Sequence, residues 1–169
     1  TMKGKRQKVK GKIRMGRLIG FFFLLPFYLL LSLPSAMAQD GPEDAAPPPL
    51  KVFSKDERDR LGSQLDLKDR TKLALELMGS RLNKAERLAA AGNNAAMYTE
   101  LGGFHALMDH IMEHVDKLDE RRSKVLDAYK RIEIGLRNYT PRLENLRRDV
   151  PLKYEHYIRK LIKYLRDTR

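Results

Sequence analysis

Residues 95–139 read AAMYTELGGFHALMDHIMEHVDKLDERRSKVLDAYKRIEIGLRNY, and every third and fourth position from Leu101 gives Leu101, Phe104, Met108, Ile111, Val115, Leu118, Arg122, Val125, Tyr129, Ile132, Leu136 and Tyr139. All but Arg122 are apolar, the mark of a helix that buries one stripe with a heptad repeat. On the other faces Glu113 precedes Lys117, Glu120 precedes Lys124, Asp127 precedes Arg131 and Glu133 precedes Arg137, each acid one turn ahead of its base. That orientation stabilises an exposed helix by about 0.2–0.5 kcal/mol per pair. Because the pairs run across the polar stretch Asp119–Arg122, the pattern predicts a single helix from Ala95 to Asn138, roughly 65 Å long at the usual helical rise. The alternative is a compact bundle broken at Asp119–Arg122.

Working outward, residues 68–91 place Ala74, Leu75, Leu77, Met78, Leu82, Ala85, Leu88 and Ala89 on one helical face. Gly92-Asn93-Asn94 then supplies residues that tolerate a left-handed turn. Further upstream, Ser54 with Glu57 three residues on is a capping-box pattern that opens a short helix, weakened at Gly62 and Ser63. Downstream, Thr140-Pro141 is expected to stop the long helix, since proline disfavours helix in the residue before it. Asp149-Val150-Pro151 repeats the device, and Tyr154, Tyr157, Ile158, Leu161 and Leu165 form the face of a last helix. No period-two stretch occurs, so the fold class is all-α. The lengths imply a long central helix with antiparallel helices packed on each half, as extended, coiled-coil-like hairpins with Arg122 at the handover.

The 169 residues include 34 Lys+Arg against 22 Asp+Glu, and no cysteine. Eight of the basic residues and none of the acids fall in the first 38 positions, which leaves +4 on the remainder. Leu18–Leu33 is apolar except for Gly20, Pro26 and Ser32, and small residues at Ala36 and Ala38 follow it. This is the layout of a signal peptide over residues 1–38, cleaved near Ala38/Gln39. An uncleaved inner-membrane anchor is the alternative, although the core is short for the ~20 residues that a span needs. Met15 offers a more compact start, so that residues 1–14 would lie upstream of translation. Either way the body is exported, to the periplasm or beyond. Residues 39–53, with prolines at 42, 47, 48 and 49, are expected as a tether, and 54–169 as the helical domain.

The absence of cysteine rules out disulfides, a thiol nucleophile and cysteine-ligated zinc. His110-Ile111-Met112-Glu113-His114 matches H-x-x-E-H and resembles the zinc motif of inverted-motif metallopeptidases. Two histidines one turn apart can share a zinc, with Glu113 activating its water. That family takes a third ligand from a distant helix of an α/β architecture, which nothing here supplies. The expectation is therefore no cofactor beyond weak zinc at His110, His114 and Glu113. His105 lies well round the helix from His110 and does not extend the pair. No E-x-x-H, G-x-S-x-G, P-loop or dinucleotide fingerprint occurs, and Gly102-Gly103 marks a close helix crossing.

Residues 39–120 carry net −5 and residues 121–169 net +9. Export removes nucleic acid as a partner for the basic half and leaves anionic lipid, acidic polymer or an envelope protein. Arg159, Lys160, Lys163 and Arg166 are the expected anionic-surface contacts, beside Tyr154, Tyr157 and Tyr164. The heptad face could also pair two copies. The turn Ala85–Asn94 followed by a long charged helix resembles exported helical domains of bacteria, with no functional motif to carry across. Small periplasmic stress chaperones share the basic, helical, cysteine-poor build, but their L-T-x-x-Q repeats are missing. The expected function is that of a non-enzymatic interaction or scaffold protein of the bacterial envelope. The alternatives are a periplasmic chaperone or metal-responsive regulator and, through His110 and His114, a zinc-dependent hydrolase.

Overall fold

The computed structural model describes residues 45–119 and 122–168. The leader, its cleavage site, residues 39–44 and Glu120 of the Glu120–Lys124 pair lie outside the described residues. Five helices follow one another: α1 Lys55–Ser63, α2 Leu67–Ala90, α3 Asn94–Asp116, α4 Ser123–Asp149 and α5 Leu152–Asp167. The fold is all-helical, with no strand among the described residues.

Several local signals act as their chemistry dictates. The Ser54 backbone N–H donates to Glu57 Oε2 at 2.7 Å while the Glu57 N–H donates to Ser54 Oγ at 3.2 Å, closing the capping box of α1. The Gly92 N–H donates to the Ala89 carbonyl and the Asn93 N–H to the Leu88 carbonyl, both at 2.9 Å, a Schellman ending for α2. Gly92 carries the positive φ of 74° that this ending requires. Asn93 then caps α3 by accepting from the Ala96 N–H.

The helix expected over 95–138 is two helices. The first ends at Asp116 and the second starts at Ser123. Leu101, Phe104, Met108, Ile111, Val115, Val125, Ile132 and Leu136 are buried, so the apolar stripe holds on each half. Between Leu118 and Val125 there is nothing apolar to bury, and most helical stability in proteins comes from burying an amphipathic face. Surface pairs such as Glu113–Lys117 are too weak to bridge that gap. Lys124 approaches Asp66, the N-cap of α2, at 4.0 Å.

Thr140-Pro141 does not stop α4, which runs through to Asp149. Proline removes one backbone donor and crowds the preceding turn. The contacts on both sides hold the helix nonetheless. Leu136, Leu143 and Leu146 are buried, the Tyr139 hydroxyl donates to the Leu75 carbonyl at 2.5 Å, and Arg142 forks onto Glu86 at 2.8 and 2.5 Å. Pro151 does separate α4 from α5, with Val150 and Pro151 both extended.

The helices form a ring in which α2 lies against α3 and α4, α4 against α5, and α5 more loosely against α3. Consecutive helices are antiparallel, as Arg81–Glu100 shows for α2 with α3 and Arg147–Glu155 for α4 with α5. The α2 and α4 helices therefore run parallel, with Leu75 at Gly135 and Glu86 at Arg142. The α3 and α5 helices are also parallel, with Tyr98 at Tyr154 and Asp109 at Tyr164. The heptad face expected as a surface for self-association is buried inside this ring.

Residues 45–53, the second half of the proline-rich run, lie along α3 as a strap. The Ala46 N–H donates to the Lys153 carbonyl at 2.8 Å, Lys51 pairs with Asp109 at 2.9 Å, and the Phe53 ring lies 5.3 Å from that of His110. The Leu50 carbonyl sits where a Cβ on residue 102 would project. Gly102 thus admits the strap's backbone, rather than marking a helix crossing.

Where the strap meets α1, a buried ion network joins three helices. Arg81 of α2 forks onto Glu57 of α1 at 2.8 and 2.6 Å and reaches Glu100 of α3 at 2.7 Å, while Lys84 takes the other Glu100 oxygen at 2.6 Å. Burial alone would raise both carboxyls, but the Arg81 hydrogen bonds, with Ser54 for Glu57 and Lys84 for Glu100, hold them below the usual carboxylate range. Replacing Arg81 with methionine leaves two buried carboxylates short of a partner, and should cost about 3 kcal/mol. Urea unfolding checks this, and an unchanged midpoint would contradict it.

Candidate functional site

The loose side of the ring, between the parallel α3 and α5, is where polar and aromatic groups concentrate. On α3, His105, Asp109, Met112 and Asp116 recur at one and two turns and so share a face. On α5, Tyr154, Tyr157, Leu161 and Tyr164 do the same. Tyr98 stands 5.0 Å from Tyr154 and 5.2 Å from Tyr157, and His105 4.9 Å from Tyr164, centroid to centroid. These separations suit favourable offset or edge contacts. The tyrosines of α5 are thus the seam of the bundle.

His105 is buried, and its Nδ1 lies 3.0 Å from the Tyr157 hydroxyl while Nε2 lies 3.5 Å from Asp109 Oδ1. With Nε2–H turned to the carboxylate, Nδ1 accepts from Tyr157. Asp109 also accepts from the Tyr164 hydroxyl at 2.8 Å and from Lys51 at 2.9 Å. One carboxylate therefore ties together α3, α5 and the strap. Burial first, and then the Lys51 charge, lower the His105 pKa against the opposing pull of Asp109. Desolvation raises Tyr157 and pushes Tyr164 up to about 12, so both phenols stay protonated donors. Beside this cluster the seam widens into a groove of about 850 Å³. Met112, Leu161 and the two tyrosines form its walls, with Lys51, Lys117 and Lys160 on the rim.

The residues singled out from sequence fall elsewhere or in other roles. His110 and His114 do share a face of α3, but Arg70 of α2 places Nη1 3.0 Å from His114 Nε2 and 3.2 Å from Nδ1. Burial first, and then the Arg70 charge, hold both imidazoles below their ordinary value. Glu113 is exposed and paired with Lys117 at 2.7 Å. Among the described residues no three His, Asp or Glu side chains gather as a metal site would require. Of the four residues of α5 expected as anionic-surface contacts, Arg159 binds Glu155 at 2.6 Å and Arg166 reaches across to Glu144 at 2.8 Å. Lys163 is 3.9 Å from Asp167, and Lys160 lines the groove without an acid partner among the described residues. His105 is off the His110/His114 face and so lies outside the H-x-x-E-H motif. The signal that would have found it is the polar stripe His105–Asp109–Asp116 running beside the apolar one.

Compared with family models, with curated proteins and with solved structures, the chain matches none.

Zinc titrated into the protein should bind weakly, because the Arg70 cation lies against His114 and two imidazoles fill half of a tetrahedral shell. A tight one-to-one calorimetric isotherm lost in His110→Ala would refute this. His105 is held neutral in the fold and takes up a proton more readily when unfolded. Stability that is present above the ordinary histidine value of about 6.5 should therefore be lost as pH falls below it. His110 and His114 act in the same direction, so His105→Asn should remove only part of the acid sensitivity. Urea midpoints between neutral and mildly acid pH read this out, and an undiminished pH slope in the variant would contradict it.

Proposed function

We propose that this chain is an exported, non-enzymatic interaction module of the bacterial cell envelope, whose basic C-terminal half docks on an anionic surface. The observation that carries the reading is a division of labour among the cations. The arginines Arg142, Arg147, Arg159 and Arg166 are engaged by Glu86, Glu144 and Glu155, which fits the fork geometry that guanidinium offers to carboxylates. Lys153 and Lys160 on the exposed side of α5 have no acid partner among the described residues, and Lys163 only a distant one. Lys153 lies over the Tyr154 ring at 5.0 Å, a cation beside an amphipathic ring. Flexible, hydrated ammonium groups on an exposed helix suit contact with many anionic groups in no fixed register.

On this reading the contact set is Lys153, Lys160 and Lys163, while Arg159 is taken up by Glu155 within α5 and Arg166 ties α5 to Glu144 of α4. The protein should co-sediment with phosphatidylglycerol vesicles and not with phosphatidylcholine vesicles. Binding should weaken steeply with salt, as exposed charges are screened beyond about 10 Å at 0.1 M. Changing the three lysines to glutamate should abolish binding with helix content unchanged, whereas Leu161→Asp, at a buried position, should loosen the bundle instead. Equal retention on neutral and anionic vesicles, or none on either, would sink the proposal.

A further inference from the structure

We infer that the seam between α3 and α5 is a binding groove for an extended, proline-containing, lysine-bearing segment of a partner protein, and that residues 45–53 occupy it as an intramolecular stand-in. This inference does not depend on the anionic-surface reading.

The seat is built to take an extended backbone. A carbonyl on α5, that of Lys153, accepts from the Ala46 N–H at 2.8 Å, and the Tyr98 hydroxyl donates to the Ala46 carbonyl at 3.4 Å. These bonds read main chain, which is how extended peptides are held without regard to side chain. Gly102 leaves room for the Leu50 carbonyl and the Pro49 ring where any larger residue would collide. Prolines pre-set the extended conformation, so seating such a segment costs little conformational entropy. Specificity falls to two anchors, Lys51 on Asp109 at 2.9 Å and Phe53 against His110.

The stand-in is held shallowly. Leu50 is 82% exposed and Val52 61%, and the Lys51–Asp109 pair is about half open to solvent. Segments with few buried contacts open locally at little cost. Beyond the strap the groove continues between Tyr157, Leu161 and Met112, so an incoming segment has unfilled apolar wall to gain. Asp109, once Lys51 has left it, is the lining carboxylate that takes the basic residue of that segment.

The same chemistry exists on a second copy of this chain, but the connection argues against exchange. Only Ser54 separates Phe53, at its seat, from α1, and Ser54 is locked into the capping box with Glu57, which Arg81 holds in turn. That leaves no hinge long enough to swing the strap onto another molecule. A partner segment can instead peel away residues 45–51, which frees Asp109 while Phe53 keeps its seat.

The probe is a fluorescent peptide with the sequence of residues 45–53, titrated into the full chain and followed by anisotropy. Wild type should bind it weakly, because the tethered strap competes at high effective concentration. Lys51→Glu weakens the strap while leaving the groove intact, and should bind the peptide several-fold tighter. Gly102→Val should bind none. If Gly102→Val fails to fold, the charge swap decides: a peptide with glutamate in place of lysine should lose binding to the wild type and regain it with Asp109→Lys. No binding to Lys51→Glu, or binding unaffected by the charge swap, would overturn the inference. So would exchange between copies, detected as a disulfide linking Ala46→Cys on one molecule to Lys153→Cys on another in this cysteine-free chain.

Discussion

The missing side chain at residue 102 is the constraint from which the open side of the molecule follows. The Leu50 carbonyl occupies the space a Cβ would fill, so the strap can lie flush on α3 and bring Ala46 to Lys153 and Lys51 to Asp109. Topology creates the need for such a filler. With antiparallel neighbours in sequence, α3 and α5 end up parallel and side by side, and they touch only loosely. A seam of that kind would expose His105, Tyr98 and Tyr157. The strap covers one flank of it, and the tyrosine ladder closes the rest.

The opposite side is fixed by charge. Arg81 ties α1, α2 and α3 through two buried carboxylates, and Arg142 ties α2 to α4 through Glu86. For the buried Arg81 pairs desolvation offsets much of the attraction, so that breaking them costs more than forming them gains. Here they set the register between helices whose apolar faces, rich in leucine and alanine, would tolerate sliding. Lys84 joins this network at Glu100, whereas Lys153 and Lys160 of α5 take no part in it among the described residues.

Much of the fold was legible in the sequence, and the errors have physical causes. The capping box at Ser54, the glycine turn at Gly92, the proline break at Pro151 and the apolar stripes were all local signals, and local chemistry decided them. The single helix over 95–138 failed because surface charge pairs were given more weight than the apolar gap between Leu118 and Val125. The stop at Pro141 failed for the converse reason, since tertiary contacts on both sides overrode a local breaker. Residues 45–53 read as a tether because proline-rich composition cannot show that Gly102 has a vacancy for them. The cluster around His105 was invisible for the same reason. Its members come from positions 51, 105, 109, 157 and 164, and only the parallel pairing of α3 and α5 brings them together.

The docked strap is the feature on which this account most depends, and a single amide reports on it. Ala46 donates its N–H to the Lys153 carbonyl, and that is its hydrogen bond among the described residues. Residue-resolved hydrogen exchange at neutral pH should find that amide protected well beyond the rate of an unstructured chain, though less than the buried amides of α3. Exchange of Ala46 at the unstructured rate, with α3 and α5 still protected, would show that the proline-rich run is a free tether and would contradict the account.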